Sequence, residues 1–180
     1  MANKYFIYLV FILAFVVRLL RLVPNMELVT LAMLLASVYL SRNSALKLTL
    51  LVMAATDLIL GNSNIFVFTW SGFLLPILLI SSLKIRNSKF EILKSTGAGI
   101  ASNIFFFAWT NLGVWILDSW GMYPKTAAGL IRCYINGLPF LKNQLESTLL
   151  FVPLGFYLIN KMLAVKSRLK SVSAPSPAAA

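Results

Sequence analysis

The side chains able to do acid–base or nucleophilic work are few in this chain of 180 residues. It has no histidine, one cysteine (Cys133) and five carboxylates, Glu27, Asp57, Glu91, Asp118 and Glu146. Histidine-based proton transfer, Ser-His-Asp triads and the usual zinc sites all need residues that are missing. A lone cysteine excludes an intrachain disulfide. We therefore expect a protein that is not an enzyme, with no cofactor and no metal site.

The chemistry that remains is recognition by charge, amide and ring. Asp57 and Arg18 each fall about four residues before the end of an apolar run, so at ~1.5 Å per residue they lie at similar depth. A charge in hydrocarbon is costly, and two readings are open: a structural ion pair of Asp57 with Arg18 or Arg21, or a direct role for Asp57 in binding a ligand. Asn103, Asn111 and Trp115 fall near one helical face, as a pocket lining or as amide contacts between helices. The stretch from Tyr123 to Phe140 is the richest. Pro124 suits the start of a short helix and Pro139 its end, giving a re-entrant or interfacial helix that carries Lys125, Arg132 and Tyr134. Its cations are placed to meet an anionic or carbonyl-bearing ligand; alternatively the segment anchors the membrane surface. Cys133 reads as a packing residue.

These residues must be held by membrane elements. Composition is 59% hydrophobic with a mean hydropathy of +0.85, and the apolar residues come in blocks of bilayer length. We expect an all-α integral membrane protein with about six spans, at 5–22, 26–41, 45–60, 65–83, 97–117 and 145–163, as one domain over 1–163. Residues 164–180, basic and then rich in Ser, Pro and Ala, read as a disordered tail. The first run lacks a small-residue cleavage pattern and continues into Arg18 and Arg21, so it is read as an uncleaved helix. Ala32 and Ala36 read as ordinary helix packing.

The net charge of +11 is explained by lysines and arginines between spans, not by nucleic acid. With the N-terminus inside, eleven of them fall on the cytoplasmic side and five on the other. That asymmetry predicts both termini inside, in the cell inner membrane. The opposite face then gathers connections rich in Asn, Gly, Trp, Tyr and Pro, residues that suit a ligand pocket.

Several stretches carry a family resemblance: Arg21 to Asn25, Asp57-Leu-Ile-Leu-Gly61, Asn111-Leu-Gly-Val-Trp115, Tyr123-Pro-Lys-Thr-Ala-Ala-Gly-Leu-Ile-Arg-Cys-Tyr134 and Leu138-Pro-Phe140. With them the chain resembles an uncharacterised bacterial family of small membrane transport proteins, similar to the substrate-binding (S) components of energy-coupling factor vitamin transporters. The resemblance implies six helices, an outward-facing site built from the first, third and fifth connections, a vitamin-sized substrate and an energy-coupling module as partner. S components carry an Ala-x-x-x-Ala face on the first helix; here Tyr5 to Arg21 has none, and among the spans that spacing occurs at Ala32 and Ala36.

The expectation is thus a membrane transport protein that binds a small nutrient through Asp57, Asn111, Trp115, Tyr123, Lys125, Arg132 and Tyr134. Its rival is a membrane scaffold or assembly subunit without a ligand, whose polar connections are contact surface.

Overall fold

The computed structural model describes residues 2–21, 26–61, 64–118 and 121–172, the side chains of 2, 3 and 170–172 excepted. Most of the expected first connection, part of the third and the last eight residues of the expected tail lie outside the described residues. Among the described residues the protein is all-helical, with six helices: α1 (Ala2–Leu20), α2 (Val29–Tyr39), α3 (Arg42–Leu60), α4 (Phe66–Ile80), α5 (Glu91–Leu117) and α6 (Ala127–Val172). Of these, α3, α5 and α6 are long and apolar enough to cross a membrane.

Local chemistry sets several boundaries. Ser41 precedes α3 in an extended conformation and its Oγ accepts from the Ser44 N–H at 3.1 Å, an N-cap bond. At the far end of α5, Asp118 turns the chain with φ of 40°, a left-handed conformation that Asp tolerates because its carboxylate can bond locally. Its Oδ1 accepts from the backbone N–H groups of Met122 and Tyr123, at 2.9 and 3.1 Å.

The helices alternate in direction. Arg18 near the end of α1 meets Thr56 and Asp57 near the end of α3, and Trp70 near the start of α4 bonds the same Asp57. At the opposite end the Tyr39 hydroxyl of α2 donates to Glu91, which opens α5, and lies 2.8 Å from the side-chain amide of Asn160 of α6. We call these the Asp118 end and the Tyr39 end. Along α1, Ile7, Val10, Phe11 and Ala14 form one buried stripe at helical spacing, while Tyr5, Leu9, Ile12 and Val16 point outward. Large apolar side chains are exposed on every helix except α2, with Leu58 86% and Leu79 74% exposed. A soluble protein rarely leaves so much contiguous apolar surface in water.

Three expectations need correction. The second run forms a shorter helix than expected: α2 has eleven residues, about half the length a ~30 Å hydrocarbon core requires of one straight helix. It packs against all five other helices, and Val29 through Ala36 are buried without a break. Ala32 and Ala36 are therefore interior packing and present no face to a partner. Second, the fifth helix starts at Glu91, six residues before the expected start. Third, no separate re-entrant helix precedes the last span: α6 is one helix of 46 residues through both Pro139 and Pro153, and it runs to Val172, into the expected tail. Proline ends a helix only when nothing else holds it. Cys133, Gly137, Gln144, Thr148, Val152, Phe156 and Ile159 make a continuous buried stripe on α6, and exposed Pro139 lies off it. Packing against α5, the most extensive helix contact in the fold, carries the helix past the proline.

Burial of α2 gives a direct check. Leu34→Ala, at a fully buried position, is expected to cost about 2–5 kcal/mol. Leu58→Ala on the outer face should stay within about 0.5 kcal/mol. Reversible unfolding in mixed micelles measures both.

Candidate functional site

A cavity of about 340 Å³ opens between α5 and α6 at the Asp118 end, within the size range of small-molecule sites. α5 contributes Phe106, Phe107, Thr110, Asn111 and Val114; the connection contributes Met122 and Tyr123; α6 contributes Cys133, Asn136, Gly137, Phe140, Leu141 and Gln144. No Asp, Glu, Lys or Arg is among them. Exposed Met122, Asn136 and Phe140 stand at the mouth, and Thr110, Tyr123, Cys133 and Gln144 are buried deeper.

Each polar group has a defined state. Thr110 Oγ1 donates back to the Phe106 carbonyl and Asn111 Nδ2 to the Phe107 carbonyl, both at 2.8 Å. Asn136 Nδ2 donates to the Tyr123 hydroxyl at 3.2 Å, which leaves the Tyr123 proton for another acceptor. Cys133 Sγ lies 3.3 Å from the Asn111 carbonyl as a weak donor. Gln144 differs from the rest: it is 2% exposed, and among the described residues its side-chain amide makes no hydrogen bond. The amide opens into the cavity and is free to bond to whatever enters it. Gly137 sustains the geometry, since a Cβ there would lie 2.4 Å from Asn111 Oδ1. That close approach lets α6 pass directly over Asn111.

Of the seven expected site residues, Asn111 and Tyr123 line this cavity and the other five do not. Trp115 Nε1 donates to the Pro124 carbonyl at 3.1 Å. Lys125 Nζ donates to the carbonyls of Trp115 and Ile116 and lies over the Trp115 ring. It is thus a cap on the C-terminus of α5, where a cation offsets the helix dipole. Tyr134 donates to the Ala108 carbonyl at 2.8 Å and meets Phe107 edge to face. Arg132 is exposed on α6 and has no hydrogen bond or ion pair among the described residues. Folding the segment into the start of α6 directs Lys125 to the end of α5 and leaves Arg132 exposed, outside this cavity.

Asp57 belongs to a second cluster. Arg18 Nη2 lies 2.7 Å from Asp57 Oδ1, Arg18 Nε donates to Thr56 Oγ1 at 2.7 Å, and Trp70 Nε1 donates to Asp57 Oδ2 at 2.6 Å. Arg21 makes no ion pair among the described residues; it is exposed, with φ of 47°, one residue past α1. The sequence alone did not single out Thr110, Asn136, Gln144 or, in a deeper set with Asn103, the residues Glu27, Thr30 and Thr148. Asn103 Nδ2 donates to the Gln144 carbonyl at 3.0 Å and to Thr148 Oγ1 at 2.6 Å. Thr30 Oγ1 lies 2.5 Å from Glu27 Oε1 and 3.1 Å from Asn103 Oδ1. This polar chain connects the start of α2 to the residue at the cavity floor.

Among the described residues, fold and site define an all-α protein of six helices, three of them long and apolar enough to cross a membrane, with an uncharged cavity between α5 and α6. Residues 1–172 match a family described as a family of unknown function (DUF6580), and the chain belongs to that family. No curated protein and no solved structure matches it.

Asp57→Ala leaves the Arg18 guanidinium without its counter-ion and is expected to cost about 3–5 kcal/mol. The double change Arg18→Met with Asp57→Leu should recover most of that loss. A double-mutant cycle by unfolding in detergent measures the difference.

Proposed function

We propose that this protein is a multi-pass protein of the cytoplasmic membrane, six helices with both termini inside, that captures a small uncharged ligand at its outward face and passes it across. The cavity and its unbonded, buried Gln144 amide carry the reading. Four aromatic rings, Phe106, Phe107, Tyr123 and Phe140, offer stacking surface, while Gln144, Asn136 and the Tyr123 hydroxyl offer donors and acceptors. That lining suits a flat, vitamin-sized molecule with amide-like or hydroxyl groups and no net charge. A charged ligand would enter without a counter-ion, at high desolvation cost.

The orientation is supported by the cations. Arg42, Lys84, Arg86, Lys89, Lys94, Lys161 and Lys166 cluster toward the Tyr39 end, which the positive-inside tendency assigns to the cytoplasm. The cavity, at the Asp118 end, then faces outward. The resemblance to S components favours a nutrient as cargo. Docking to an energy-coupling module through Ala32 and Ala36 has no support, because α2 is enclosed by the other helices.

Thermal unfolding of the detergent-purified chain against a panel of neutral and anionic vitamins tests the proposal. A neutral compound is expected to stabilise it, by about 2.7 kcal/mol when present at a hundredfold its Kd. Gln144→Leu should abolish that response while leaving the ligand-free protein as stable as before or more so, since an unbonded amide is removed. Stabilisation only by anions, or an undiminished response in Gln144→Leu, would contradict it. A silent panel with a protein partner co-purifying would favour the scaffold.

A further inference from the structure

The polar chain beneath the cavity contains one hydroxyl facing two acceptors. Thr30 Oγ1 has a single proton, yet it lies between Glu27 Oε1 and Asn103 Oδ1. The Asn103 amide cannot be reversed to relieve this, because its other end faces the main-chain carbonyl of Gln144, which only accepts. Turning Oδ1 toward that carbonyl would set two oxygens 3.0 Å apart with no proton between them. The Thr30 backbone N–H is already directed at the carboxyl group of Glu27, 3.0 Å from Oε2. If Glu27 were ionised, Thr30 would donate to it and Asn103 Oδ1, buried, would lack a donor. One additional proton resolves the arrangement: Glu27 donates to Thr30, Thr30 donates to Asn103, and Asn103 donates to Gln144 and Thr148.

We infer that Glu27 is a proton-binding site, a neutral carboxylic acid in this state of the protein, hydrogen-bonded through Thr30 and Asn103 to the backbone of the cavity floor. Glu27 is 8% exposed; its carboxyl group faces the N–H groups of Val29 and Thr30 and, from α1, the Arg18 guanidinium, which is itself held by Thr56 and Asp57 of α3. From α5 and α6 it faces the network of Asn103, Thr148 and Gln144, none of them titratable, and α4 contributes Trp70 on the far side of Asp57. The neighbouring residues 22–25 are Leu, Val, Pro and Asn, which carry no charge. On the reading that the cavity holds a transported ligand, the proton is the coupling ion. A ligand that draws the Gln144 amide shifts the turn of α6 whose carbonyl orients Asn103, and by reciprocity the proton on Glu27 changes ligand affinity.

Infrared spectroscopy of the purified full-length chain at neutral pH tests the site without any ligand, so a failed vitamin panel would not obscure its result. With five carboxylates in the chain, a protonated-carboxyl band can be assigned residue by residue. The band is expected in the wild type, lost in Glu27→Gln and retained in Asp57→Asn, Glu91→Gln, Asp118→Asn and Glu146→Gln. Thr30→Val should shift its frequency by removing the hydrogen-bond partner. Should Glu27→Gln fail to fold, persistence of the band in the other four assigns it by elimination. No band in the wild type, or a band lost in one of those four instead, would overturn the proposal and leave the cavity reading untouched.

Discussion

At eleven residues α2 is the shortest helix of the six, and that shortness governs the interior of this protein. A helix enclosed on all sides has to begin and end within the bundle, where its unpaired backbone groups and flanking side chains have protein partners or none. At its start, the Glu27 carboxyl group receives the Thr30 N–H. At its end, Tyr39 reaches Glu91 and Asn160 on two other helices. Both termini of α2 are thereby tied to α5 or α6, the pair that encloses the cavity.

The polar interior follows from that arrangement. Interhelical bonds from side chains such as Asn103 hold helices whose outer faces gain nothing from the hydrophobic effect in lipid. The Arg18, Thr56, Asp57 and Trp70 cluster does the same for α1, α3 and α4. Among the described residues the Gln144 side chain has no protein partner and opens to the cavity, while the hydroxyls of Thr49 and Ser95 are buried without partners away from it. The first group of polar side chains closes the bundle, and Gln144 is left open to an incoming molecule. Lys125 belongs to the first: its charge is spent on the C-terminus of α5, and the cavity stays neutral.

The sequence conveyed some of this well. Apolar block length on its own indicates a helical chain with membrane-length segments, and depth along parallel helices can be counted, which places Arg18 opposite Asp57. Composition does not distinguish an apolar helix facing lipid from one facing protein, so α2 read as a crossing. Pro139 read as a stop because local chemistry was weighed without the α5 surface that packs against Cys133, Gly137 and Gln144. Gln144 itself gave no signal, lying between Lys142 and Glu146 in a polar run that looked like a connection. Glu27, at the start of the second apolar run, gave no signal either; its single clue was Thr30, three residues on, whose hydroxyl and amide both meet the carboxyl group. Asn111 was legible from its place on one helical face with Asn103 and Trp115, and Tyr123 from the proline-bounded segment it opens.

The native thiol offers the most direct measurement. Cys133 lines the cavity and is the one cysteine of the chain, so alkylation reports on that site without engineering. A small neutral thiol reagent should modify it slowly in the ligand-free protein, and any compound that stabilises the fold should protect it. Protection would place the ligand between α5 and α6 as the account requires. A stabilising compound that leaves the Cys133 alkylation rate unchanged would locate binding elsewhere and contradict it.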